Sequence, residues 1–411
     1  MTPSRQNARA SGRSTALAGG TAARWIAAAG VFVISLDSMV NVAFPAMSAW
    51  FGRPPEDMRW VIIPYVLAYS IMSFAGGIAA DAIGYPRVFR VGLAVSAVAF
   101  AAAAAAPAFE WLVAARILQG LSGGLVYGTA PGWMTATAPA DQRGRVLGFL
   151  SATMGLAFAV GPVVAGALID TFGWQAIFAV RAPMALAALA WTWSVAPDSG
   201  MRARTPAVRA RDILRVPVLL PAALTFLANA GVFAIWLLAP FYLVQVLGLG
   251  TFAAGALFML TPLGTAVAAP LAGRVADRIG SRGPMVAGLA IESVALLLLS
   301  GAGAATSVAV VGAALFAAGF GLGVFQPPNM SLVMGEFPAG QQGAAGGFSF
   351  MARTLGVVAG VATLSTIFAA RRATAGFEPA FSTAFTVAAV AVAVAAVAGL
   401  VRAHGRGHRR S

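Results

Sequence analysis

Twelve stretches of this chain are mostly apolar for about twenty residues or more, and short polar segments separate them. A helix needs roughly 20 such residues to cross a bilayer. The stretches run over about 22–47, 57–80, 88–107, 110–137, 144–169, 174–196, 215–247, 252–273, 284–304, 307–334, 342–369 and 380–402. A water-exposed surface cannot be built around this pattern. Only 10% of the 411 residues are charged, against about 25% in a soluble domain. The expectation is an all-α membrane protein with twelve transmembrane helices. The first stretch continues through Asp37 and Asn41 to Pro45 without a small-residue cleavage site, so it reads as a span and not as a cleaved leader.

Composition removes several function classes. There is no Cys, so neither a disulfide framework nor a thiolate metal site is available. Both His residues, His404 and His408, lie in the tail. There is no Lys, so a phosphate-binding loop of the Gly-x4-Gly-Lys type cannot exist. The chain is therefore read as no enzyme, with no cofactor and no metal, and with an ion gradient as its energy source.

The net charge of +14 invites a nucleic-acid reading. The placement of the 27 arginines removes it. With the amino terminus in the cytoplasm, 20 fall on the cytoplasmic side, four (Arg53, Arg59, Arg371 and Arg372) on the other, and Arg116, Arg181 and Arg353 inside spans. Short cytoplasmic loops carry the excess of basic residues. The expectation is a multi-pass protein of the cell membrane (a bacterial inner membrane) with both termini cytoplasmic. Lipid, protons and a small-molecule substrate are its expected partners; nucleic acid is not, and the expected state is a monomer.

The longest polar segment, 198–214, lies between the sixth and seventh spans. It divides the chain into a cytoplasmic tail (1–21), a six-helix bundle (22–197), a linker (198–214), a second six-helix bundle (215–402) and a second tail (403–411). The halves repeat. Gly77-x3-Asp81-x2-Gly84-x2-Arg87 follows the second span, and Gly273-Arg-x2-Asp277-Arg278-x-Gly280-x-Arg282 follows the eighth, 196 residues further on. Duplicated bundles of this kind bind substrate between them near the midplane.

Several motifs, in order and on the right spans, resemble the major facilitator superfamily, and within it the drug:proton antiporter branch. The loop Gly77–Arg87 is similar to the superfamily's loop signature. Arg116-Ile-Leu-Gln119-Gly120 is similar to its span-four signature, and Gly155-x5-Gly161-Pro162-x3-Gly166 to the span-five signature of antiporters. Leu36-Asp37-x3-Asn41-x3-Pro45 resembles the span-one signature of a drug-exporter branch usually built with fourteen spans, as do Trp60-x4-Tyr65 and Trp174-x3-Phe178. This chain has only the linker where that branch has two extra helices. Its first loop carries Ala82 and Tyr85-Pro86 where the family has basic residues.

The resemblance implies a secondary transporter that exports lipophilic or cationic small molecules in exchange for protons by alternating access. A proton symporter importing a polar metabolite and a transport-inactive sensor are the alternatives. Asp37, deep in span one, is the candidate proton-coupling carboxylate. A charge at that depth costs about 2.5–3.5 kcal/mol and is usually functional; helix stapling is the plainer alternative. Arg116 is its expected partner, or a tie to backbone carbonyls. The spans expected to line the cavity carry Asn41, Gln119, Tyr127, Asn229, Phe233, Trp236 and Gln326. Gly77, Asp81, Gly84, Arg87, Gly273, Asp277, Arg278, Gly280 and Arg282 form candidate cytoplasmic gating loops. Gly155, Gly161, Pro162 and Gly166 predict close helix packing within one half. Glu292 is a second acidic site or a partner for Arg353. Arg181, where the branch has Asn, has no assigned role.

Overall fold

A computed structural model describes residues 21–137, 143–194, 215–336 and 342–405 of the chain; the linker over 198–214, residues 1–20 and residues 406–411 lie outside the described residues. The side chains of Asp81, 143–145, 147, 342–347 and 401–405 also lie outside them. The described chain is almost wholly helical. Ten helices among the described residues are long and apolar enough to cross a membrane. They are α1 (Thr21–Val42), α2 (Arg59–Ile83), α3 (Tyr85–Ala104), α5 (Arg143–Phe172), α7 (Val216–Phe241), α8 (Thr251–Ile279), α9 (Arg282–Ser300), α10 (Val308–Gly335), α11 (Gln342–Ala375) and α12 (Phe377–Gly405). The fourth and sixth expected spans are α4 (Phe109–Ala136) and the shorter apolar α6 (Ala176–Thr192). α4 has 28 residues, ample to cross, but carries Glu110, Arg116 and Gln119. Together they give the twelve helices that the hydrophobic pattern predicts.

Helices suit this setting because each satisfies its own backbone hydrogen bonds where no water is available. Trp25, Trp50, Trp60, Trp111, Trp191 and Trp193 are exposed near span ends, where amphipathic rings settle at the membrane–water boundary. Arg90 stacks its guanidinium 4.6 Å from the Trp193 ring centroid.

The sequence repeat reappears as repeated geometry. Gly84, between α2 and α3, has φ +99° and ψ 138°; Gly280, between α8 and α9, has φ +89° and ψ 159°. Residues other than Gly rarely adopt that region, so each copy of the loop needs its glycine. Helix contacts repeat as well. A Cβ at Gly92 of α3 would lie 3.1 Å from the Ser122 carbonyl of α4; one at Gly288 of α9 would lie 2.6 Å from the Gly321 carbonyl of α10. Small residues at such points let helices approach closely where no hydrophobic force between them exists.

The chain forms two compact units. One comprises residues up to Asp37, Ala68–Ala157 and Gln175–Arg204; the other comprises Ser38–Leu67, Phe158–Trp174 and Thr205 onward. The second unit thus contains the late part of α1, the early part of α2 and the late part of α5 together with the whole C-terminal half.

Candidate functional site

In the first unit, α1 is interrupted by a turn at Leu36–Asp37, where the Asp37 amide bonds the Ile34 carbonyl at 3.2 Å. The interruption turns the carboxylate toward α4 and α6. Arg116 of α4 grips it with both terminal nitrogens: Nη1 to Oδ1 at 2.7 Å and Nη2 to Oδ2 at 2.9 Å. Gln119, one turn along α4, donates from Nε2 to Oδ1 at 2.7 Å and accepts from Arg116 Nη1 at 2.8 Å. Planar guanidinium matches carboxylate in this two-point fashion, which fixes geometry as well as strength.

Arg181 of α6 is the residue that sequence left without a role. Its Nη1 donates to Asp37 Oδ1 at 3.1 Å, its Nη2 to the Ile34 carbonyl at 3.1 Å and its Nε to the Val33 carbonyl at 3.3 Å. Its guanidinium also lies 4.2 Å from the Phe100 ring centroid. It thus ties the carboxylate to the backbone just before the interruption in α1. Arg116 and Arg181 are 2% and 0% exposed, and the Asp37 side chain 14%. Two guanidinium groups thus share one carboxylate. One signal was available beforehand: a buried arginine in a membrane needs a partner, and α6 offers none of its own.

Tyr127 shares a short hydrogen bond with Ser35, 2.5 Å between oxygens, and meets Tyr69 edge-on at 5.1 Å. The predicted residues Asp37, Arg116, Gln119 and Tyr127 therefore share one unit. The others lie elsewhere. In the second unit, Phe233 stacks on Trp236 at 5.9 Å, and Trp236 meets Phe258 at 5.0 Å and Phe158 at 6.1 Å. Asn229 is buried and donates to the Thr225 carbonyl one turn back at 2.8 Å. Nearby, Asn329 of α10 donates to Thr225 at 2.7 Å and to the Pro221 carbonyl at 3.0 Å. Asn41 and Gln326 are half-buried.

Of the loop residues, Arg87, Asp277 and Arg278 are exposed and Arg282 is half-buried. None of the four makes a side-chain hydrogen bond or ion pair among the described residues. The backbone of Asp81 is helical; its side chain lies outside the described residues. Gly77 approaches Gly128 of α4, where a Cβ would lie 3.5 Å from the carbonyl; a Cβ at Gly273 would meet nothing.

Of the span-five residues, Gly161 packs within its own half as expected, whereas Gly166 and Pro162 meet the other half. Gly155 faces open space, and Gly161 abuts the Ser38 hydroxyl of α1. A Cβ on Gly166 would lie 2.6 Å from the Phe252 Cα and 2.7 Å from the Thr251 carbonyl, and Gly255 sits on the Pro162 carbonyl. Asp170, one turn beyond Gly166, accepts from the Phe252 amide at 3.0 Å. These partners open α8, beyond the linker, so the packing joins the two halves of the sequence. Two further contacts do the same. Arg372 Nη2 lies 2.9 Å from Glu56 Oε1, and Arg59 donates to Thr366 at 3.4 Å.

A polytopic helical membrane protein with duplicated halves and a buried carboxylate–guanidinium cluster has the build of a secondary transporter. The family model described as Major Facilitator Superfamily matches residues 26–361, and the chain belongs to that family. The riboflavin transporter RibZ of Clostridioides difficile (strain 630) is 24% identical over 393 residues, covering 83% of this chain and 86% of that protein. The tetracenomycin C resistance and export protein of Streptomyces glaucescens is 27% identical over 404 residues, covering 84% and 75%. Among solved structures, a bacterial homologue of the human lysosomal transporter Spinster, inward-facing and unoccupied, matches with a TM-score of 0.78 at 13% identity, over 95% of this chain and 96% of that one.

Proposed function

We propose that the protein exports lipophilic small molecules across a bacterial inner membrane in exchange for protons, with both termini in the cytoplasm and the linker joining two six-helix bundles. The observation that carries this reading is the Asp37 cluster. A carboxylate inside a span, gripped by two buried arginines, is a site where protonation changes helix contacts. A proton on Asp37 displaces the donor at the oxygen that takes it and removes the charge from the remaining bonds to Arg116, Gln119 and Arg181, which together connect α1, α4 and α6. The proton thereby biases one conformation over another, as differential binding to two states must.

Alternating access has a candidate lock. On the side opposite the arginine-rich loops, α5 packs on the start of α8 through Gly166 and Gly255, and Glu56 pairs with Arg372. These contacts must part for that side to open. The likeness to an export protein supports outward transport. The likeness to a riboflavin transporter favours a second reading, proton-driven uptake of a polar metabolite.

In cells lacking their own pumps, dye accumulation with and without a collapsed proton gradient separates these. Wild type is expected to extrude dye only with the gradient intact, and Asp37→Asn not at all. Equal extrusion by both proteins would refute proton coupling at Asp37. Accumulation of a polar solute under an imposed inward proton gradient would establish uptake instead.

A further inference from the structure

Glu292 is a second carboxylate deep within a span, and its setting is the reverse of that of Asp37. It lies in the middle of α9, about 15 Å along the axis from Arg282 and about 12 Å from Ser300. It is 0% exposed, and neither carboxyl oxygen has a hydrogen-bond partner among the described residues. The expected pairing with Arg353 is therefore not made. The neighbouring Ser293 spends its hydroxyl on the Ala389 carbonyl of α12 at 2.8 Å.

The surrounding helices offer no counter-charge. α7 and α10 contain no titratable side chain. On α8, Arg274, Asp277 and Arg278 lie in the last two turns. α12 has only Glu378 at its start and Arg402 and His404 near its end. α9 itself adds only Arg282 in its first turn. Nor is there space to recruit a partner. A Cβ on Gly321 of α10 would lie 2.5 Å from the Glu292 amide nitrogen and 2.9 Å from its Cα; one on Gly288 would lie 2.5 Å from the Phe325 nitrogen. The two backbones touch along this stretch.

An ionised carboxylate with no partner in apolar surroundings is among the costliest arrangements a protein can hold, and such a group is neutralised instead. A proton is the ligand small enough to do that between close-packed helices. We propose that Glu292 is a second proton-binding site, lodged in the C-terminal half and loaded or emptied when α9 shifts against α10 and α12. The site is separate from the Asp37 cluster and holds whichever direction the protein transports.

Purified full-length protein in detergent tests this without transport. It is brought from acid to alkaline pH while infrared difference spectra record protonated carboxyl groups and an indicator dye counts released protons. The expected result is a carboxyl band that fades as pH rises, is missing from Glu292→Gln, and remains in Asp37→Asn. The glutamine variant should release one proton fewer than wild type. If no such band exists in wild type, Glu292 does not hold a proton and the proposal falls. It also falls if the band persists at every pH at which the protein stays folded, because a site that never empties carries nothing. Should Glu292→Gln fail to fold, wild type grown with carboxyl-labelled glutamate answers the same question. The fading band must then move with the label, and an unmoved band overturns the proposal.

Discussion

Replacing Arg181 with methionine tests whether the arginine that sequence left unexplained is energetically part of the Asp37 cluster. Methionine keeps most of the volume, so the cavity term is small. The losses include one charge-assisted bond to Oδ1 at 3.1 Å, two bonds to the Val33 and Ile34 carbonyls and the contact of the guanidinium with the Phe100 ring. Asp37 keeps its Arg116 and Gln119 bonds, so it is not stranded. A hydrogen bond to a charged group contributes about 1.5–3 kcal/mol, and with three such bonds lost the substitution should cost at least that amount. Asp37→Asn is the harsher change, because it takes the carboxylate away from two buried guanidinium groups; removing one partner of a buried pair costs about 3–5 kcal/mol. The double variant should then cost less than the two single costs added, by about 1–3 kcal/mol, since residues in one network couple by about that much. Unfolding of the purified protein in mixed detergent micelles, followed by tryptophan fluorescence, gives the three values. Additivity within about 0.5 kcal/mol, the behaviour of independent sites, would refute the claim that Arg181 and Asp37 act on each other.

Other outcomes follow from the same geometry. Gly166→Val places a side chain where a Cβ already lies 2.6 Å from the Phe252 Cα; it should destabilise by about 1–3 kcal/mol and abolish extrusion, and normal dye efflux would show that the α5–α8 contact is not needed. Alanine at Gly84 or at Gly280 must adopt φ near +90°, a strain of order 1–3 kcal/mol, so both variants should melt earlier than wild type. Arg372→Gln breaks a partly exposed pair and should change stability by no more than about 1 kcal/mol; if transport rate is also unchanged, Glu56–Arg372 is no lock.

Much of the fold was legible in the chain because crossing a membrane is a local property. Twenty apolar residues in a row, the side on which arginines gather and the duplicated glycine loops can each be read from neighbours in sequence. Asp37 and Arg116 stood out for the same reason, as charges where charge is costly. The partners were not legible, because they depend on which helices meet. Arg181 reaches Asp37 from 144 positions away. Gly166 and Asp170 meet residues of α8 from beyond the linker, not a neighbouring span of their own half. Glu292 read equally as a second acidic site or as a partner for Arg353; its carboxyl oxygens meet no hydrogen-bond partner among the described residues. Sequence alone decided that this chain crosses the membrane, and where its charges would be expensive. Only the tertiary structure decided which of those charges are offset by an opposite charge, because the cost of burial is set by each residue while its compensation requires two helices to come within hydrogen-bonding distance.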